Sequence, residues 1–553
     1  MRENRWLPLQ TKTLKYKVSS LYTVLLSLVL MLTHGSTFAA DAPISAPTVK
    51  KSQSTADHSK FEALKGPFAS GSEVTKACLS CHTEAAGQIM KDKHWTWEHL
   101  NPQTNQKLGK RHVINNFCVA APSNYATCTS CHIGYGWKDE NFDFANQENV
   151  DCLVCHEKTS GKYRKLLGSA GYPVLQDTEF PPGSGKIVKG ADLAEVAQSV
   201  GKTARGNCGA CHFTGGGGDG VKHGDLDTSL KAPDKALDVH MDSRGLNFAC
   251  GTCHSTKGHQ IPGSRYSPLA RDSEGAHMRG KKDDTNPATC VSCHGNEPHK
   301  KGAYAVKTNQ HTDKVACQTC HIPTFARGNV PTKMWWDWST AGQLKDGKPF
   351  VQKNDKGEVV YDSKKGDFVW ANHVVPDYLW FNGRFDYNLI NDKVEKREDF
   401  LTLNKPGGDF ADGKSLIWPF KLFKGIQPFD PVNGLLVVPH VAGKDDAAYW
   451  KSFNWQAAIE AGMQEVGVPF SGKVDFIKTQ MYWPITHMVA PAKDALACSE
   501  CHRSGGRLEK IQGVYIPGRD HNRLIDNMGW LLAAGTLLGV LVHGALRIVR
   551  RKN

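Results

Sequence analysis

The chain has no pair of thiols to spare for a disulfide. It carries 17 cysteines, and all but Cys118 belong to copies of one short motif. It is also short of apolar material. Aromatic residues make up 9% of 553 positions, and mean hydropathy is −0.44. Side chains alone are a thin supply for a core of that size. Nor is there a fixed period between the motifs, which excludes a regular repeat array. Acidic residues are outnumbered, giving a formal charge of +13.

What is present is C-x-x-C-H, eight times. The first cysteines are Cys78, Cys128, Cys152, Cys208, Cys250, Cys290, Cys317 and Cys498. The second are Cys81, Cys131, Cys155, Cys211, Cys253, Cys293, Cys320 and Cys501. The histidines are His82, His132, His156, His212, His254, His294, His321 and His502. The motif reads as a c-type haem attachment site. Two thiols three positions apart share one side of a helical turn and can both bond one edge of a porphyrin. The adjacent His then offers a proximal nitrogen to the iron. A redox C-x-x-C or a zinc site needs no such His, and eight repetitions leave little room for chance. Eight covalent haems would also supply the missing apolar surface. Each brings two propionates against one net positive charge of the ferric porphyrin, so they offset most of the basic excess. Nucleic acid is therefore rejected as a partner.

The expected fold is mainly α with much irregular structure, a multihaem cytochrome c array whose core is largely haem, plus a C-terminal transmembrane helix. Residues 1–40 read as a signal peptide, with Lys15 and Lys17 before an apolar run and small residues before Ala39 and Ala40. A retained N-terminal anchor is the alternative. Residues 41–57 read as a flexible lead-in, 58–321 as a seven-haem domain, and 322–497 as a motif-free insert with Trp-rich segments. There GEVVYDS suggests a small hairpin and 445–466 a helix. The Trp clusters are expected to pack against haem faces rather than to line a channel. Residues 498–528 hold the eighth motif and a linker.

The segment 529–549 is long enough to cross a bilayer. Arg547 and the basic tail, 550–553, suit the cytoplasmic side. The reading is a periplasmic haem domain anchored in the bacterial inner membrane, with its C-terminus cytoplasmic. His543 lies within that span, either as a site for a haem or quinone of a partner subunit or as a tolerated polar residue.

A haem that only carries electrons holds two strong ligands, so distal groups are needed as well. The candidates are His58, His94, His223, His240, His259, His277, His299, His311 and His487. Distal ligands often come from remote parts of a chain, so spacing alone does not pair them. Cys118 is either a reactive thiol or an inert buried one.

Longer stretches carry a resemblance: ADHSKF at Ala56, VTKACLSCHTEAA at Val74, KHWTW at Lys93, VINNFC at Val113, NVDCLVCH at Asn149, NCGACHF after SVGK at Ser199, VKHGDLD at Val221, VACQTCHIP at Val315 and THMV at Thr486. Together these resemble the octahaem tetrathionate reductases, periplasmic multihaem cytochromes c. The resemblance implies one catalytic haem on the second motif (Cys128, Cys131, His132), with a lysine amine as its distal ligand and a cysteine in the same pocket. The cysteine corresponds to Cys118. Lys202 is the lysine chosen, with Lys162 and Lys222 as competitors. The other seven haems would be bis-His.

The implied activity is reduction of tetrathionate, nitrite or hydroxylamine. The C-terminal anchor departs from the soluble form of that family and suggests supply from the quinol pool through a quinol-oxidising membrane cytochrome subunit. Two other functions stay open: a non-catalytic relay between a membrane cytochrome and a periplasmic acceptor, and hydroxylamine oxidation, for which no cross-linking tyrosine is identifiable.

Overall fold

The computed structural model describes residues 56–552 apart from Cys118, 272–288, Lys301, Ala303, Arg397 and Glu398. The expected signal peptide, Cys118 and His277 thus lie outside the described residues.

The motifs sit on short helices, as a one-turn arrangement of two thiols requires. Examples are Leu153–His156, Arg205–His212, Val291–His294 and Cys317–His321. The second motif is carried by the turn Tyr125–Cys128, which tightens into a 3₁₀ turn at Thr129–Cys131. Irregular backbone joins them.

The motif-free stretch contains far more than a hairpin. Ten strands form one mixed sheet: β1 Thr332–Asp337, β2 Val351–Lys353, β3 Val359–Asp362, β4 Gly366–Ala371, β5 Asp377–Phe381, β6 Phe385–Tyr387, β7 Leu401–Pro406, β8 Leu416–Asp430, β9 Leu435–Leu436 and β10 Asp475–Pro484. The order is β6-β7-β10-β8-β1-β4-β3-β2, with β5 and β9 also paired to β8. The GEVVYDS segment supplies β3, paired with β2.

Central β8 runs antiparallel to β10 from Phe420↔Pro484 to Phe429↔Asp475 and parallel to β1. It is mostly buried along its length although Lys421, Lys424 and Gln427 interrupt its apolar residues. Trp336, Trp338, Phe381, Phe420, Phe423 and Trp483 pack in the core that the sheet shares with Ile114 and Phe117.

Over 445–466 there are two helices, Tyr449–Ser452 and Trp455–Glu465. Phe453 divides them at φ 54°, and Asn454 caps the second through Ala457 N–H. The chain then returns to the haem motifs, with Leu496 N–H donating to Cys320 O at 3.0 Å. The terminal helix is longer than the expected span, Arg523–Lys552. Its apolar stretch has a mean hydropathy of 1.8 and none of it is buried, so by length and composition it suffices to cross a membrane.

Candidate functional site

Seven of the eight motif histidines face a second histidine. The pairs, with ring-centroid separations, are His82–His58 at 6.3 Å, His156–His259 at 6.4 Å, His212–His94 at 6.0 Å, His254–His487 at 6.4 Å, His294–His240 at 5.9 Å, His321–His299 at 6.2 Å and His502–His311 at 6.0 Å. Two imidazoles bound to one metal at ~2 Å each put their centroids roughly 6 Å apart. The spacing therefore fits an iron between each pair.

The ring nitrogens agree. Nδ1 is engaged to Asp92 in His94 (2.7 Å), Gln88 in His259 (2.8 Å), Asn309 in His299 (3.0 Å), Asp225 in His487 (3.2 Å) and the Lys307 carbonyl in His311 (2.6 Å). On the motif side it donates to the carbonyls of Gly201 from His156, Pro262 from His254 and Pro517 from His502. Tying Nδ1 fixes the tautomer that leaves Nε2 for a metal.

His132 is different. It faces no histidine among the described residues and is 1% exposed. Trp95, Trp97, Trp137 and Phe142 enclose it at 5.1, 5.5, 4.7 and 5.4 Å. Its Nε2 donates to Trp95 O at 2.7 Å. A Cβ on Gly134 would lie 2.8 Å from both His132 and Trp95, so only glycine lets these rings close up. Below it a buried ion pair, Lys165 Nζ–Asp151 Oδ2 at 2.8 Å, is braced by Tyr135 Oη and by a bond from Lys165 to His132 O.

Motif sulfurs abut one another. Those of Cys78 and Cys152, Cys131 and Cys211, Cys208 and Cys250, and Cys290 and Cys317 lie within hydrogen-bonding reach. The second motif thus touches the fourth, the first the third, the fourth the fifth, and the sixth the seventh.

The candidate lysines separate clearly. Lys202 is exposed. Lys162 is exposed and paired with Glu195. Lys222 is half-buried, with Nζ 5.3 Å from the Trp483 ring. Phe117, next to Cys118, meets the same indole at 5.6 Å. Gly216 bridges the two: a Cβ there would lie 3.1 Å from the Phe117 ring and 3.3 Å from Lys222 Cβ. Of the three lysines, Lys222 is the one that the structure places beside Phe117 and Trp483, while Lys202 is exposed.

His223 is corrected. It faces Trp483 at 5.0 Å and Asp225 at 3.9 Å rather than a motif histidine. Burial, and then the charges of Lys222 and Arg265, hold it well below the usual imidazole range. On the far side of Phe117, Val119 adopts φ 49°, a strained position for a β-branched residue.

Sequence reasoning overlooked Lys421. It is fully buried in β8, and its amine donates to Val221 O (2.9 Å), Lys222 O (3.1 Å) and Thr332 Oγ1 (2.6 Å). Its only signal was a lysine inside an apolar run.

The arrangement defines a class, the multihaem c-type cytochromes. A bacterial cytochrome c family model matches residues 333–505, and one for cytochromes c554 and c-prime matches 48–157 and 249–322. A crystal structure of an octahaem cytochrome c from Shewanella oneidensis is similar at 43% identity and a TM-score of 0.69, covering 82% of this chain and 94% of that one. An uncharacterised protein of Archaeoglobus fulgidus is 26% identical over 261 residues, 40% of this chain and 86% of the relative. The chain belongs to the octahaem cytochromes c and carries covalently bound c-type haems, one for each C-x-x-C-H.

Proposed function

We propose that the protein reduces small sulfur or nitrogen oxyanions at the haem of the second motif, with seven bis-His haems as its electron store and wire. The observation that carries this reading is the asymmetry among the motif histidines: seven face an imidazole, and among the described residues His132 does not. A bis-His iron has no exchangeable position, so only the second site is free to meet a substrate.

When bound, the haems supply one-electron redox chemistry. The chain's own residues do the rest. His132 would hold the second haem from one side once its Nε2 gives up the bond to Trp95 O. Lys222, whose amine is a weaker and protonatable ligand, would serve on the other, and the likeness to tetrathionate reductases assigns Cys118 to the same pocket. The cations around Trp483 draw an anion in. Tetrathionate, nitrite and hydroxylamine are the substrates that the likeness to tetrathionate reductases suggests.

The terminal helix would hold the haem domain at the outer face of the inner membrane. The eighth motif, nearest in sequence to it, would then be the entry point for electrons from a quinol-oxidising membrane cytochrome. Steady-state assay of the purified holoprotein with reduced viologen tests the reading. Oxidation of the donor by at least one of the three substrates is expected. Inertness towards all three would leave an electron relay.

A further inference from the structure

We infer that Trp483 and Arg265 form a small-anion subsite beside Lys222, which holds an oxygen of the substrate oxyanion. The inference rests on the reductase reading and assigns the groups that recognise its substrate.

Three observations converge. First, Trp483 is 2% exposed, yet its Nε1–H is buried without an acceptor among the described residues. A buried donor left unpaired costs free energy and calls for an acceptor. Second, two cations flank the same indole: the Arg265 guanidinium at 4.7 Å from the ring centroid and Lys222 Nζ at 5.3 Å. The indoles of Trp338, Trp450 and Trp455 also lack an acceptor, but none of them has two cations within 6 Å among the described residues.

Third, Arg265 is held in place by neutral groups. It lies 4.4 Å over Tyr266 and donates to its hydroxyl at 2.6 Å, and no carboxylate among the described residues pairs with it. Of the Asp225 carboxylate, Oδ2 is engaged by the His487 ring and the backbone N–H groups of Thr486 and His487, and Oδ1 lies 3.9 Å from His223 Nδ1. A half-buried positive cluster beside an unfilled N–H donor matches a compact anion with several oxygens. A planar guanidinium suits two of those oxygens at once.

Calorimetric titration of the oxidised, full-length holoprotein with tetrathionate, and separately with nitrite, tests this without turnover. Wild type should bind at least one. Trp483→Phe, which removes the N–H together with part of the ring, and Arg265→Gln should each weaken binding on the order of tenfold or more. Arg265→Lys should fall in between. Unchanged haem absorption would certify that each variant is folded.

A haem propionate is the other source of anionic oxygen. If the variants bind oxyanions like wild type but shift the midpoint potential of one haem, the pair serves a propionate and the inference is overturned, while the reductase reading stands. If wild type binds neither anion and also fails to oxidise reduced viologen, both are overturned.

Discussion

At the scale of single residues, function turns on what each histidine faces. The proximal set was legible because covalent attachment fixes its spacing. Seven distal partners, His58, His94, His240, His259, His299, His311 and His487, were all among the sequence candidates. Their pairings were hidden, since His94 and His259 each reach past two intervening motifs. The lysine was left open among three for a related reason: a loop's direction, which decides whether an amine reaches a pocket, leaves no trace in local spacing. Lys222→Ala is expected to convert one haem from low to high spin in the optical spectrum of the oxidised protein, while Lys202→Ala leaves it unchanged. The reverse result would return the ligand to Lys202. Lys165→Met strands Asp151 as an unpaired buried carboxylate. It should cost ~3–5 kcal/mol in chemical denaturation, and a loss near zero would show that the pair does not brace the second motif.

Between elements, the sheet positions the pocket. β8 and β10 place Lys421 and Trp483 against the 221–223 loop, and Phe117 packs on Phe423 of β8. The sheet was underread because a strand buried on both faces loses the period of two that marks strands in sequence. Lys421→Met should orphan the carbonyls of Val221 and Lys222, at about 1–3 kcal/mol each, and raise the high-spin fraction at the second haem. Stability loss without a spin change would limit Lys421 to scaffolding.

A second clamp joins the turn of the second motif to the segment after β9. His440 Nε2 meets Asp445 at 3.0 Å, and its Nδ1 donates to Ser123 O. Burial would lower the His440 pKa, but the bonds to Asp445 and Ser123 outweigh it and raise it above 6.5. The bond to His440 holds Asp445 below 3.8. The histidine's contribution is therefore full below 6.5 and lost as pH rises through its raised pKa. The carboxylate's is full above 3.8 and lost as pH falls through its depressed one. Wild type minus His440→Gln should thus differ most between these limits in denaturant midpoint; a difference independent of pH would contradict the clamp.

At the scale of the molecule, neighbouring motif cysteines give an order. Cys320 and Cys501 are close enough to interact, as are Cys253 and Cys290, and Cys155 and Cys208. The motifs then run eighth, seventh, sixth, fifth, fourth, with the second branching from the fourth. The third and first lie beyond that branch, off the path from the terminal helix to the pocket. Deleting 523–553 should release a soluble protein with viologen-driven turnover intact and quinol-driven turnover lost; retained quinol activity would contradict entry from the membrane side.

The central claim is that one iron of the eight lacks a second imidazole. Low-temperature EPR with near-infrared magnetic circular dichroism of the oxidised full-length protein tests it most directly. The account predicts seven bis-imidazole haems and one with an amine in place of the second ring. Eight identical bis-imidazole ligand sets would contradict it.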